Sequence, residues 1–271
     1  MSNTIEPLDS IKHIQRAWDT SVTTATYNTL LEACTTAVDQ ARLKAMVSPH
    51  AGDWLHAPPL TAIGLRLSDE AIRVAAGIRI GTNLCQPHKC ICGATVDARG
   101  LHGLACRKST PRHISHSQLN DIIWRAVKKA QIPASKEPIG LLRHDGKRPD
   151  GATPVPWTRG RPLAWNVTVP DTFAASQIQF TSSSACEAAA NAAVNKTAKY
   201  VELTSTHHFV PIVVETSGAW CPQSTEFIVE LGRRISTITN EPLETTYLFQ
   251  RLSITLQRGN AVAFRNTFFE T

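Results

Sequence analysis

The order of helix and strand patterns in the second half of the chain limits its fold more than any other feature. Apolar residues at helical spacing alternate there with short apolar runs rich in β-branched residues. In chain order the patterns are a helix, three strands, a helix and a strand, over residues 118–130, 137–142, 149–155, 163–169, 185–203 and 210–214. The sequence therefore predicts an α/β (α+β) fold with an αβββαβ core.

The first two predicted strands read as a hairpin, because His144-Asp145-Gly146 between them is a turn signal. Helical patterns flank the core, with two more helices expected over 224–239 and 244–257. Near the start, Ser68 precedes a helix with acids in its first turn. We expect three regions: a helical segment over 1–80, a zinc module over 81–112, and the αβββαβ core with its C-terminal helices over 113–271.

Cysteine usage favours a reducing compartment. The chain has seven cysteines, an odd number, and four of them fall between Cys85 and Cys106 in one short polar segment. Such clustering fits metal binding better than a disulfide framework. The sequence has no run of eighteen apolar residues, and its first residues carry acids where a signal peptide has basic and then apolar ones. We therefore expect a nuclear or cytoplasmic protein with no membrane partner.

The segment from Cys85 to Cys106 has too few apolar residues to fold around a core of its own. Cys90-x-Cys92 and His102-x-x-x-Cys106 place three thiolates and an imidazole on the two sides of a nine-residue loop. Tetrahedral zinc takes four such ligands. Cys85 and His88 also lie within reach, so six candidates compete for four positions, and a cluster of unliganded cysteines is the alternative. The pattern predicts a structural zinc that stabilises the segment.

Basic residues are concentrated between Arg99 and Arg161, where thirteen lysines and arginines face four acids. The rest of the chain is slightly acidic. This excess predicts a polyanion partner, DNA or else RNA, because each phosphate that a cation neutralises releases counterions. The alternative is a solvated basic face. The residues expected to contact DNA are Arg125, Lys128, Lys129, Lys147 and Arg148.

Asp150 and Asn166 are the residues that a metal-dependent nuclease would use. Asp150 ends the string Arg148-Pro149-Asp150, and Asn166 lies on the next predicted strand. Side chains alternate along a strand, so Asn166 and Thr168 project to the same side, which can face Asp150. A divalent ion that activates water for phosphodiester hydrolysis needs hard, anionic oxygen ligands. Asp150 supplies one and Asn166 does not.

Three further residues are candidates for the same site. Glu137 begins the first predicted strand and offers another carboxylate. Lys196 and Tyr200 are four residues apart on the predicted helix and share a face. A lysine near the phosphate would stabilise developing charge or orient the attacking water. Each signal alone is equally compatible with a solvated surface residue, and their order along the αβββαβ core favours the joint interpretation.

Together these motifs make residues 84–214 resemble the C-terminal region of reverse transcriptases of site-specific non-LTR retrotransposons. In that family a CCHC zinc motif precedes a restriction-enzyme-like endonuclease. The matching residues are Cys90, Cys92, His102 and Cys106 for the zinc motif, Arg148-Pro149-Asp150 for the PD element, Trp165-Asn166-Val167-Thr168-Val169 for the second acidic strand, and Lys196-Thr197-Ala198-Lys199-Tyr200 for the KxxKY element. The chain departs from the family at Asn166, where the family has an acid, and in the spacing of Cys90-x-Cys92.

The resemblance implies that Asp150 and the residue at 166 bind Mg²⁺ or Mn²⁺ and that Lys196 assists. It also implies that residues 1–80 correspond to the helical segment after the polymerase. The chain has no Tyr-x-Asp-Asp string and so no polymerase, and whether one is supplied in trans is left open. The expected function is a retrotransposon-derived DNA endonuclease, from a truncated element or a gene adopted by its host. The alternatives are a nucleic-acid-binding module that lost catalysis at Asn166 and a protein-interaction domain that uses only the helical ends.

Overall fold

The computed structural model describes residues 8–106, 108, 111–141 and 146–268. Its helices and strands are α1 (Leu8–Glu32), α2 (Ala37–Met46), α3 (Asp69–Ile80), β1 (His88–Lys89), β2 (Thr95–Val96), α4 (His102–Ala105), α5 (Pro111–Lys129), β3 (Ser135–Lys136), β4 (Gly151–Thr158), β5 (Arg161–Thr168), α6 (Ile178–Thr181), α7 (Glu187–Lys199), β6 (His208–Val213), α8 (Pro222–Thr239) and α9 (Glu244–Arg265). Short 3-10 turns occupy Asp53–Leu55, Thr61–Ile63, Ile139–Leu141 and Val201–Ser205.

The central sheet has the strand order β3-β4-β5-β6. The pairs β3/β4 and β4/β5 are antiparallel, whereas β5 and β6 are parallel. Parallel neighbours need a crossover connection, and here α6 and α7 provide it. Because α5 precedes the sheet, the core runs α, β, β, β, α, β with one short extra helix. The predicted α/β class is confirmed.

The first strand of the sheet differs from the prediction. A strand was expected over 137–142, but β3 is only Ser135–Lys136, and a 3-10 turn covers Ile139–Leu141. Glu137 has a φ of 45°, and Pro138 has no N–H for the ladder, so the chain leaves the sheet there. His144 and Asp145 of the predicted turn lie outside the described residues.

The tight hairpin of the sheet joins β4 to β5. Arg159 and Gly160 connect these strands and have φ values of 48° and 74°. Two consecutive residues with positive φ are typical of a type I′ turn, whose twist matches that of the flanking strands. The register shifts between Thr158 and Pro156 and again between Pro156 and Ala152, and at the far end of the hairpin Gly151 pairs with Trp165.

The two faces of the sheet bury different side chains. Leu163, Trp165 and Val167 pack with apolar residues of α5, α8 and α9. Ala164 lies on the opposite face, with Tyr200 and Phe209. The alternation along β5 therefore directs the odd-numbered residues towards α5 and the even-numbered ones towards α7.

A second core joins the N-terminal half of the chain to α9. Val74 and Ile78 of α3 pack with Ile254 and Phe264 of α9. The helix α4 also lies against α9, since a Cβ on Gly103 would be 2.8 Å from the carbonyl oxygen of Ala263. The boundaries expected at residues 80 and 112 stay a prediction, and both flanking regions share α9 as a packing partner.

The helix α1 is exposed along much of its length. Its side chains Trp18 and Val22 are 72% and 67% exposed. Within the described ranges, no helix has both the length and the apolar character needed to cross a bilayer.

Asp39 of α2 links that helix to the segment that follows β2. The guanidinium of Arg99 donates two hydrogen bonds to its carboxylate, of 2.9 and 3.0 Å. Arg99 is the main cause of a decrease in the pKa of Asp39 from 3.8 to about 2. A carboxyl whose pKa is lower in the folded state stabilises the fold above its unfolded pKa and loses that contribution on acidification.

We therefore expect Asp39→Asn to lower the free energy of unfolding at neutral pH. The difference from the wild type should close as the pH falls from about 4 to about 2, because the folded carboxyl is protonated in that window. Urea denaturation of both proteins across this range measures the difference. A difference that stayed constant with pH would contradict this assignment.

Candidate active site and metal centre

Four of the six candidate metal ligands lie together. The ligand atoms of Cys90, Cys92, His102 and Cys106 are all within 4.8 Å of one another. Sγ of Cys90 is 3.7 Å from Sγ of Cys106, and Sγ of Cys92 is 3.2 Å from Nε2 of His102. Three sulfur atoms and one imidazole nitrogen form a donor set that suits zinc. The cluster could therefore hold a metal ion.

Local backbone geometry brings these ligands together. Cys90 and Cys92 lie in the turn of the β1/β2 hairpin, where the Cys90 amide donates to the Ala94 carbonyl at 2.9 Å. Gly93 has a φ of 92°, a conformation that side chains rarely adopt, so glycine allows the turn. His102 begins α4 and Cys106 directly follows it. The one-residue spacing of the first pair is thus accommodated by a tight hairpin turn.

The two alternative ligands have other polar contacts. The thiol of Cys85, which packs beside the cluster, donates to the Asp97 carbonyl at 3.4 Å. The ring of His88 is near Gln86 O and Thr267 Oγ1, at 3.0 and 2.9 Å, and stacks on Phe268. Of the six candidates, the four named by the family pattern are those whose ligand atoms lie together.

The thiols of the cluster lie in contrasting environments. A hydrogen bond from the Ala94 amide is the main cause of a decrease in the pKa of Cys92 to about 6. Burial is the main cause of an increase in the pKa of Cys90 to about 11. A thiolate is the form that binds metal, so at neutral pH Cys92 is already in its ligand form and Cys90 has a proton to release.

Asp150 lies at the edge of the sheet, immediately before β4. Its Oδ2 accepts a hydrogen bond of 2.6 Å from the Val167 amide on β5 and lies 2.9 Å from Nε2 of His116 on α5. Its Oδ1 has no hydrogen-bond partner among the described residues. The side chain is 14% exposed. The two contacts of Oδ2 fix the orientation of the carboxylate, and Oδ1 is available to bind a ligand.

Position 166 lies across the hairpin from Asp150. Continuing the register one residue past the Gly151–Trp165 pair brings Asp150, which lies just outside β4, level with Asn166 at the end of the hairpin. Directly opposed residues in an antiparallel pair have Cα atoms about 5 Å apart. Asn166 is buried, and its Oδ1 is 3.5 Å from the Thr168 hydroxyl. At these two positions the chain has one carboxylate, Asp150, and one amide, Asn166, where the resembled family has two acids.

Lys196 of α7 also belongs to this site. Burial is the main cause of a decrease in its pKa, which the charge of Asp150 opposes and the charge of Lys147 reinforces. The same lysine depresses the pKa of His116, although the hydrogen bond to Asp150 raises that pKa overall. One carboxylate, one lysine and one histidine from three elements therefore interact electrostatically around the edge of β5.

A buried carboxylate positions the helix that carries Lys196. Glu215, just after β6, is fully buried and accepts hydrogen bonds from the Ala189 amide and the Thr172 hydroxyl, at 3.1 and 2.8 Å. Ala189 lies in the first turn of α7, where unpaired amides favour a negative charge. Burial raises the pKa of Glu215. The end of β6 is thereby tied to the start of α7.

Two other predicted catalytic residues contact the segment before Asp150. The hydroxyl of Tyr200 donates to the carbonyl of Arg148 at 2.8 Å, and its ring is buried against Phe209. The carboxylate of Glu137 forms an ion pair with Arg148 and is 62% exposed. Tyr200 thus supports the backbone next to Asp150, whereas the Glu137 carboxylate is directed to a guanidinium.

Sequence reasoning missed His116 and Asn120. These residues are four apart on α5 and so share a face. The Asn120 amide group donates to the Asp150 carbonyl at 3.1 Å and accepts from the Trp165 indole at 2.8 Å. The sequence signal that could have identified them is a histidine and an asparagine four residues apart on the helix that precedes Asp150.

The predicted DNA contacts on α5 are largely neutralised by neighbours. Arg125 pairs with Asp121 at 2.5 Å, and Lys129 pairs with the buried Glu244. The ammonium of Lys128 lies 4.5 Å from the centre of the Trp124 ring. The charges of Arg125 and Lys129 are thus paired within the protein. Lys147 is exposed and lies near Lys196.

The chain matches no protein-family model and no curated protein.

Proposed function

We propose that this protein is a retrotransposon-derived, DNA-binding endonuclease-like protein whose metal-dependent phosphodiester hydrolysis is weakened by Asn166. The observation that carries the proposal is the grouping of Asp150, position 166 and Lys196 at one edge of the sheet. Three motifs that are separated in the sequence come to this edge of the sheet, which supports the roles that the resemblance implies.

The hard oxygen atoms at this edge fit a divalent cation only in part. Asp150 Oδ1 and the Asn166 amide oxygen would hold Mg²⁺ or Mn²⁺, which would polarise the phosphate and activate a water molecule. Asn166 brings an oxygen but no charge, so one anionic ligand stands where the related enzymes have two. We therefore expect weak metal binding and slow hydrolysis.

The remaining residues prepare the site for a phosphate. Lys196 is partly desolvated beside Asp150, and a positive charge in such surroundings interacts strongly with an anion. His116 and the Val167 amide hold the Asp150 carboxylate in one orientation. We assign His116 as a positioning residue, since its described contact is with Asp150.

The Cys90, Cys92, His102 and Cys106 cluster supports a structural zinc. All four positions of a tetrahedral ion would be filled by protein ligands, so no position is left for a substrate. We propose that this zinc stabilises the β1/β2 hairpin and its attachment to α9.

A second candidate function is a DNA-binding module without catalysis. Asn166 itself favours it, together with the two hydrogen bonds that already occupy Oδ2 of Asp150. In this alternative the αβββαβ core is retained as a scaffold.

Nicking of supercoiled plasmid distinguishes the two functions. With Mg²⁺ or Mn²⁺ we expect the wild type to nick slowly and Asp150→Ala to lose that activity, because Asp150 is the anionic ligand of the proposed metal. Glu202→Ala, which removes an exposed carboxylate beyond α7, is the matched control and should nick like the wild type. Equal activity in the wild type and Asp150→Ala would indicate a contaminating nuclease and favour the second function.

A further inference from the structure

A groove lined by three arginines lies between α3, α5 and α9. It has a volume of about 350 Å³, and its charged and polar lining residues include Arg66, Glu70, Ser115, Gln118, Arg258 and Arg265. Three positive charges therefore face one negative charge. Arg66 and Arg265 are exposed, so their guanidinium groups are accessible to a ligand.

Arg258 is held in place inside this groove. Its guanidinium donates hydrogen bonds of 2.8 and 2.7 Å to the carbonyl oxygens of Gly64 and Arg66. A fixed positive charge loses little conformational freedom when an anion binds, which favours binding. The same contacts hold the backbone of Arg66 beside the groove.

The groove keeps most of its positive charge. Its acid, Glu70, is 3.9 Å from Arg265, a loose ion pair between exposed groups. The arginines of the groove come from outside the basic stretch of the sequence, so only the fold assembles them.

The groove adjoins the Asp150 site across α5. Ser115 lines the groove, and His116, the next residue, contacts Asp150.

We infer that this groove binds the phosphate backbone of duplex DNA next to the Asp150 site. The inference rests on the proposed function, because it takes DNA as the partner. Arginine donors, a net positive charge and polar residues suit phosphate oxygens.

The test is the affinity of the full chain for a labelled random-sequence duplex, measured by fluorescence anisotropy over a range of salt concentrations. Replacing both Arg66 and Arg265 by Ala should lower the affinity about tenfold or more and reduce the salt slope by about 2. The charge-matched control Arg161→Ala with Arg233→Ala, two exposed arginines outside the groove, should keep the wild-type slope.

Glu70→Gln provides a change in the opposite direction. It removes the acid of the groove and releases Arg265, so affinity should rise above that of the wild type, a result that partial unfolding cannot produce. Suppose that the wild type binds duplex DNA. The groove assignment is then wrong if the Arg66→Ala, Arg265→Ala variant keeps the wild-type salt slope, or if Glu70→Gln does not bind DNA more tightly. In either case the proposed function stands. If the wild type shows no salt-dependent binding, both are wrong.

Discussion

Replacing Cys106 by Ser is expected to release the zinc and unfold the segment from Cys85 to Cys106. Cys106 is buried in a small cluster that consists largely of the ligand cysteines. Such a segment has little apolar surface to stabilise it, and structural zinc binding contributes up to about 10–16 kcal/mol in isolated zinc-finger peptides. We expect about one zinc per chain in the wild type and almost none in Cys106→Ser.

Two measurements check this expectation. Metal analysis gives the zinc content, and limited proteolysis reports whether the segment becomes accessible. Cys85→Ser is the matched control, because Cys85 lies in the same segment but its thiol contacts backbone carbonyls. It should retain zinc and protease resistance. A wild type purified without zinc, or equal zinc in both variants, would contradict a structural zinc site at these residues.

Much of the fold could be predicted because its signals are local. Ser68 at the start of α3 accepts a hydrogen bond from the Ala71 amide, as expected of an N-cap. The β-branched run of β6 and the apolar run of β5 identified buried strands. The strand expected over 137–142 was wrong because Pro138 and the positive φ of Glu137 outweigh the apolar pattern.

The site was less predictable because its contacts are long-range. Asp150, Asn166 and Lys196 were identified from short motifs, and the hairpin register supports the predicted facing of the first two. His116 was missed because its partner lies 34 positions away, and no local pattern relates the two. The role of Tyr200 also depends on tertiary contacts, since its hydroxyl reaches the backbone of Arg148.

The distribution of charge along the sequence was the least reliable predictor of which individual residues would contact DNA. The excess between Arg99 and Arg161 was visible in the sequence, yet Lys129 and Arg125 are paired with acids. Glu244, the partner of Lys129, lies more than a hundred residues away. Counting charges along the chain cannot detect such neutralisation, nor the arginines that meet in the groove.

Replacing Asn166 by Asp is expected to raise metal-dependent nicking of supercoiled plasmid about 10²-fold, the effect typical of a single preorganised electrostatic group. The substitution preserves size and restores a second carboxylate opposite Asp150. Two anionic ligands hold a divalent cation far better than one. Because the added charge acts only through the cation, the increase should require Mg²⁺ or Mn²⁺.

Two controls separate this effect from a general change of charge. Asn240→Asp adds the same charge at an exposed position after α8, where the residue has a φ of 58° that Asp also tolerates. It should nick at the wild-type rate. Adding Asp150→Ala to Asn166→Asp should abolish activity, because the carboxylate that His116 and the Val167 amide hold in place is then missing.

The initial nicking rate of Asn166→Asp in Mg²⁺, relative to Asn166→Asp combined with Asp150→Ala, tests the proposed active site most directly. The proposal predicts a rate far above that of the wild type, dependent on Asp150 and lost on chelation. An inert Asn166→Asp protein that still binds DNA and zinc would contradict the catalytic proposal and leave the DNA-binding module as the function.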